Sequence, residues 1–80
     1  MPKVISKKIL PKYFKAVADG MKKFELRKDE DDIQFGDVLI LKEWDGEKYT
    51  GRDLCCKVTY VLRNVPEYGL MDGYCIIGFM

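Results

Sequence analysis

Four residues in one short stretch are spaced to act together: Gly20, Lys22, Glu25 and Arg27 of Gly20-Met21-Lys22-Lys23-Phe24-Glu25-Leu26-Arg27. A lysine at the mouth of an apolar interior is a group that holds an anion or serves as base or nucleophile, because an ammonium withdrawn from water needs a partner. A glutamate and an arginine two apart on a strand share a face, so they can form a charge-assisted pair or jointly recognise a planar polar group. The same residues also fit a solvated turn followed by a solvated strand face, with no chemistry. Other catalytic sets are excluded by composition. The chain has no histidine, which removes Ser-His-Asp and Cys-His arrangements, and no G-x-x-x-x-G-K run to cradle phosphates. Cys55, Cys56 and Cys75 include no C-x-x-C pair. With no histidine to complete a zinc site, they read as free thiols. No metal or cofactor is implied.

The stretch sits between two elements. Pro11 suits the first turn of a helix, and Leu10, Phe14, Val17 and Ala18 make an apolar stripe, with Lys12 and Lys15 off it. Gly20, just past that stripe, can take the left-handed conformation that ends a helix. A strand then follows. Alternation puts Lys22, Phe24 and Leu26 on one face and Lys23, Glu25 and Arg27 on the other. The two apolar side chains mark the first face as core-directed, with Lys22 at its rim. Phe24 and Leu26 are therefore expected to be buried with Val38, Ile40 and Val58, and Phe24→Ala to cost about 3–5 kcal/mol.

Residues Val4 to Leu10 read as an edge or one-sided strand with lysines in its middle. Asp29 to Asp32 read as a solvated acidic turn that neutralises nearby lysines; the ligand pattern of an EF-hand is missing. Phe35-Gly36-Asp37 signals a turn. Val38 to Leu41 suit a strand buried on both faces, with Lys42, Glu43 and Trp44 carrying it towards the surface. Asp45-Gly46 and Thr50-Gly51 punctuate a hairpin-like connection. Leu54, Cys56, Val58, Tyr60 and Leu62 then alternate in the clearest strand pattern, residues 64 to 73 form a loop, and Tyr74 to Phe79 make a core strand. Short strands with one early helix predict an α+β, mostly β fold: a small barrel of about five strands whose N-terminal helix covers one end.

Gly20, Lys22, Glu25 and Arg27 fit the G-x-K-x-x-E-x-R signature of ASCH domains, a family similar to PUA domains. The resemblance extends over nearly the whole chain. It includes Lys8-Ile9-Leu10-Pro11-Lys12-Tyr13-Phe14, Phe35-Gly36-Asp37-Val38-Leu39, Tyr49-Thr50-Gly51-Arg52 and Gly69-Leu70-Met71-Asp72-Gly73-Tyr74. It looks like a compact, mostly uncharacterised subgroup from bacteria and their phages. The resemblance implies a small PUA-like β-barrel and RNA binding. Some ASCH-like proteins look like small amidohydrolases acting on acetylated cytidine, with the motif lysine as reactive group; here that would be Lys22. This chain has Glu25 where that subgroup has threonine, and it lacks the insertion carrying a further catalytic glutamate.

Length and charge bound the function. Eighty residues make one domain (1–80) with a small core, since a chain of this size buries only roughly 60% of its unfolded surface. The chain is 48% hydrophobic and 34% charged, the composition of a globular protein. No apolar run is long enough to span a bilayer, and the start lacks a signal-peptide core, so a cytoplasmic protein with no membrane partner is expected. Net charge is +1, but residues 1 to 28 hold nine bases and two acids (+7), while residues 29 to 80 hold five bases and eleven acids (−6). Such a split can build the basic face that meets a polyanion.

The expected function is therefore an RNA- or nucleotide-binding module. Its cleft is lined by Gly20, Lys22, Lys23, Glu25 and Arg27, aided by phosphate contacts from Lys12 and Lys15. Trp44, Tyr49 and Tyr68 are available for stacking, although Trp44 shares a face with Val38 and Ile40 and also suits a barrel-end packing role. The alternatives are the acetylcytidine-type amidohydrolase with Lys22 as catalytic residue, and a phage-type module that binds a host protein.

Overall fold

The computed structural model describes residues 2–80. Along the chain lie β1 (Val4–Ile9), α1 (Pro11–Ala18), β2 (Phe24–Lys28), β3 (Val38–Trp44), β4 (Tyr49–Leu62), a 3₁₀ turn at Pro66–Tyr68, and β5 (Tyr74–Phe79). The strands form one five-stranded sheet in the order β1-β3-β4-β5-β2. β1 runs parallel to β3, and the other pairings are antiparallel. The fold is α+β and mostly β. Among the described residues no ladder joins β1 to β2, so these two strands are the sheet's edges. No helix among them is long and apolar enough to cross a membrane.

Local chemistry accounts for α1. Pro11 opens it, Phe14 is its buried residue, and Val17 packs partly buried against the core. Its end is made by Gly20 at φ +76°, which lets the Gly20 N–H reach the Val17 carbonyl at 3.0 Å and the Met21 N–H reach the Ala16 carbonyl at 3.0 Å. That pair of bonds satisfies helix carbonyls as a glycine stop does, and it aims the chain from Lys22 into β2.

The long strand β4 shapes the sheet, pairing with β3 from Tyr49 to Lys57 and with β5 from Val58 to Leu62. Two register shifts bend it. One falls opposite Lys42 to Trp44, where Gly51 has φ +94°. Thr50-Gly51 is thus an irregularity inside β4, and the hairpin turn is Asp45 to Lys48, closed by Glu47 and Lys48 N–H groups donating to Asp45 Oδ1 at 2.9 Å. The other shift, between Val58 and Tyr60, inserts one residue and moves the inward positions from even to odd. Val58 is fully buried, Tyr60 is exposed, and Val61 packs on the core. The unbroken alternation expected through Tyr60 is corrected by that bulge.

The core joins Ile9, Phe14, Ile33, Leu39, Leu41, Cys56, Val58, Cys75, Ile77 and Phe79. β3 is not buried on both faces: Leu39, Leu41 and Glu43 point inward, while Val38 and Ile40 are half-buried on the other side. β2 corrects the sequence expectation most strongly. Phe24 and Leu26 are 50% and 58% exposed, and Glu25 is buried. The cause is register. Glu25 pairs with buried Ile77 and Arg27 with buried Cys75, which leaves Phe24 and Leu26 on the outer face beside Gly78 and Ile76.

The acidic segment after β2 is more than a solvated turn. Arg63 grips Asp29 with two bonds, at 2.6 and 3.1 Å, and donates to the Ile33 carbonyl at 2.9 Å. Lys7 pairs with Asp31 and Glu30. Lys3 reaches Asp37 at 2.8 Å and the Asp32 carbonyl at 2.6 Å. The Lys3 side chain, together with N–H groups of Lys3 and Gln34, holds the Asp37 carboxyl at about 2, below its ordinary 3.8.

These observations set two expectations for stability. Leu39→Ala, at a fully buried position, should cost about 2–5 kcal/mol, whereas Phe24→Ala, at a half-exposed one, should cost less than about 1.5 kcal/mol; urea melts of both variants check the inverted face of β2. Asp37 has its folded pKa depressed, so its stabilising contribution is complete above about pH 4 and is lost as pH falls through about 2. The urea midpoint of the parent protein should decline across that window, and Asp37→Asn should flatten the decline.

Candidate functional site

Because β1 and β2 do not pair, a cleft of about 520 Å³ opens where the two sheet edges approach. Its walls are Lys8, Ile9 and Leu10 from β1 and its exit, Tyr13 from α1, and the run Lys22 and Phe24 to Arg27. Glu25, 5% exposed, holds the arrangement together. Its Oε1 accepts a hydrogen bond from the Lys22 ammonium, and its Oε2 accepts one from Arg27 Nε at 2.9 Å. Lys22 also donates to the Phe24 carbonyl at 2.7 Å. Arg27 Nη2 donates across the gap to the Lys8 carbonyl, so one guanidinium links the inward carboxylate of β2 to the backbone of β1.

A buried carboxylate that is bonded on both oxygens by cations is compensated for its loss of water. Two cations against one anion leave the cluster with one positive charge, and Lys8 on the facing strand contributes its backbone carbonyl to Arg27 while its ammonium lies against Trp44. The Lys22 ammonium also lies 5.0 Å from the Phe24 ring centroid and 5.6 Å from that of Tyr13. The cleft thus combines cationic donors with aromatic and aliphatic walls. That combination suits an anion bearing a planar or apolar body.

The family comparison agrees with the extent of this fold. The family described as "Domain of unknown function (DUF3850)" matches residues 6–79, from β1 to the end of β5. The chain belongs to the DUF3850 family. It is also similar to an "Uncharacterized 12.9 kDa protein in GpA 3'region" of Escherichia phage P2, with 39% identity over 61 residues. That match takes in 76% of this chain and 56% of the phage protein, so the chain spans little more than half the length of that relative.

In this DUF3850 domain the four motif residues divide by role. Lys22, Glu25 and Arg27 meet in the cleft, while Gly20 makes the helix stop and lines a smaller hollow of about 260 Å³ with Val17, Lys23, Cys55 and Phe79. Lys23 is exposed outside the main cleft, and its carbonyl accepts the Phe79 N–H at 3.1 Å. Lys12 and Lys15 lie on the exposed face of α1: Lys15 pairs with Asp19 at 2.9 Å, and Lys12 lies 5.3 Å from the Tyr13 ring. Trp44 is half-buried at the end of β3 and does not line the cleft, but the Lys8 ammonium sits 4.0 Å from its ring centroid.

Sequence reasoning missed Tyr13 and Lys8 as cleft walls. Tyr13 stands beside Phe14 but off the stripe read as Leu10, Phe14, Val17 and Ala18, and the place of Lys8 depends on a non-local approach of two strands. Glu43 was also missed. Expected at the surface, it is 2% exposed and accepts bonds from Thr50 Oγ1 at 2.6 Å and from Arg52 Nε and Nη2 at 2.9 and 2.7 Å. The Arg52 hydrogen bonds, followed by that of Thr50, hold the Glu43 carboxyl below the usual range. Arg52 packs over the Phe14 ring at 4.8 Å, tying β4 to the helix that carries Tyr13. Burial pushes the Cys56 and Cys75 thiols up, which disfavours the reactive thiolate.

Glu25 should therefore bind Lys22 and Arg27 to one fate. Glu25→Ala should destabilise the domain by about 1–3 kcal/mol, because it leaves donors without their acceptor. The Glu25/Arg27 double alanine variant should cost less than the sum of the two single losses. Thermal melts of the three variants measure that coupling.

Proposed function

We propose that the cleft between β1 and β2 binds RNA or a nucleotide-like ligand, with Lys22 and Arg27 drawing the anionic part and Tyr13 and Phe24 flanking the planar part. The observation that carries this reading is the buried Glu25 held by both cations at the floor of an open cleft. A buried ion cluster is weak as a source of stability. Its placement beneath an accessible, aromatic-walled cleft suits recognition. The G-x-K-x-x-E-x-R spacing adds the ASCH-like, PUA-like resemblance, and with it the reading of this curled sheet as a small barrel whose seam is the ligand cleft. Lys12, beside Tyr13 at the exposed end of α1, is placed in this reading to meet a phosphate of a longer chain.

Lys22 donates to both Glu25 and the Phe24 carbonyl. That engagement favours holding charge over attacking a carbonyl, so binding ranks above amidohydrolase chemistry. Uridine monophosphate and a short labelled RNA, each titrated at two salt concentrations, test the proposal. Affinity should fall as salt rises, because each neutralised phosphate releases counterions. Lys22→Ala should weaken both ligands by roughly 10- to 150-fold, the loss of one charged hydrogen bond, while the variant still folds. Binding that is indifferent to Lys22 and Arg27 would place the site elsewhere, and hydrolysis of acetylcytidine that vanishes with Lys22 would move the assignment to the enzyme.

A further inference from the structure

The outer face of the β1-β3-β4 half of the sheet carries a second set of residues that the cleft does not use. Trp44 and Tyr49 face each other across the β3–β4 ladder, with ring centroids 5.0 Å apart at 73°. The Lys8 ammonium lies 4.0 Å from the Trp44 centroid and 5.9 Å from that of Tyr49, and the Lys42 ammonium lies 5.9 Å from the Tyr49 centroid. Strand register places Lys8 next to Lys42, and Lys57 further along the same outer face. Among the described residues none of these three lysines has a carboxylate within 4.0 Å, although Asp53 stands opposite Lys42 in the ladder. Asp45 and Glu47 are in the hairpin turn, and Asp45 is engaged by the N–H groups of Glu47 and Lys48.

Lys3, Lys7, Lys15 and Lys22 are each spent on a carboxylate, whereas Lys12, Lys23, Lys28 and Lys48, like the three lysines of this face, have none within 4.0 Å among the described residues. What marks this face is that two of its three free lysines, Lys8 and Lys42, are gathered round an aromatic pair. Aromatic rings flanked by unneutralised lysines on a sheet surface are what single-stranded nucleic acid requires: a π-face for the base and cations for the phosphates on either side. Lys8 also connects this face to the cleft, for it lines the cleft wall while its ammonium covers Trp44.

We infer that Trp44 and Tyr49, with Lys8 and Lys42, form a stacking platform for a single-stranded polynucleotide whose neighbouring nucleotide occupies the β1–β2 cleft. The inference rests on the cleft being a nucleotide site, and it names the ligand class as a chain and not a free mononucleotide. In the unbound protein the Lys8 ammonium occupies the Trp44 face. An arriving base displaces it, since base stacking is the stronger contact, and Lys8 turns to the adjoining phosphate.

Trp44 is the chain's one tryptophan, so its fluorescence reports the platform directly. The protein is titrated with a short oligouridylate and, separately, with uridine monophosphate. The oligomer should quench Trp44. Its affinity, read by anisotropy of a labelled copy, should fall roughly 5- to 150-fold in Trp44→Leu and recover in Trp44→Phe, with the monophosphate's affinity unchanged in both. Lys42→Ala should lower the salt slope of oligomer binding by about one. Quenching that the oligomer still reaches at saturation in Lys22→Ala, where both ligands bind more weakly, supports the platform as a contact separate from the cleft. An oligomer that binds without quenching, and equally well to Trp44→Leu, overturns the platform and leaves the cleft standing. Quenching of equal size by the monophosphate overturns the two-nucleotide arrangement. Failure of both ligands to bind overturns platform and cleft together.

Discussion

The buried Glu25 carboxylate is the constraint to which the rest of the site answers. An anion on the inner face of a strand must be matched by cations within reach, and Lys22 and Arg27 meet that need from the same short segment. The match has consequences beyond the pair. It commits β2 to the register in which Phe24 and Leu26 face outward. It keeps Lys22 at the cleft, and it leaves Arg27 with a spare N–H for the Lys8 carbonyl. A single ion cluster thereby sets the face of an edge strand and holds that edge near the opposite one.

The two open edges can approach because β4 is long and bent. One strand serves as partner to β3 in its first half and to β5 in its second, with an irregularity in each half. At the first, Thr50 and Arg52 both turn towards Glu43 and satisfy a second buried carboxylate. At the second, the inserted residue moves the inward positions by one, so that Val61 and not Tyr60 continues the core. Bulges of this kind increase the local bend of a strand, which lets five strands curl until β1 and β2 line one cleft.

Charge follows the same logic. The excess of bases in the first third of the chain does not produce a uniform basic face, because Lys3, Lys7, Lys15, Lys22 and Arg27 each find a carboxylate. The acidic segment after β2 and the turn at Asp37 are where much of that neutralisation occurs. Of the cations that remain without such a partner, Lys8, Lys12 and Lys42 lie beside aromatic rings. Exposed ion pairs contribute little to stability, but their arrangement decides which lysines can still meet a polyanion.

Local chemistry was legible in the sequence wherever a few neighbouring residues decide the outcome. Pro11 and Gly20 bounded the helix because one lacks an N–H and the other can take a positive φ, and Phe14 was buried as its spacing required. Alternation identified β2 and the second half of β4, and apolar runs the other strands, and the Gly20–Arg27 stretch was found to contain three of the four ionic residues of the cleft. Which face of a strand points inward was a different matter. For β2, two apolar residues against two charged ones suggested the wrong face, since alternation has two solutions and only pairing with β5 selects one. Glu43 and Tyr60 were misplaced for related reasons: distant donors made burial of a carboxylate possible, and a bulge shifted the alternation. The union of Lys8, Tyr13 and Lys22 in one cleft was decided by tertiary structure alone, because it depends on two unpaired edges, far apart in sheet order, meeting when the sheet curls.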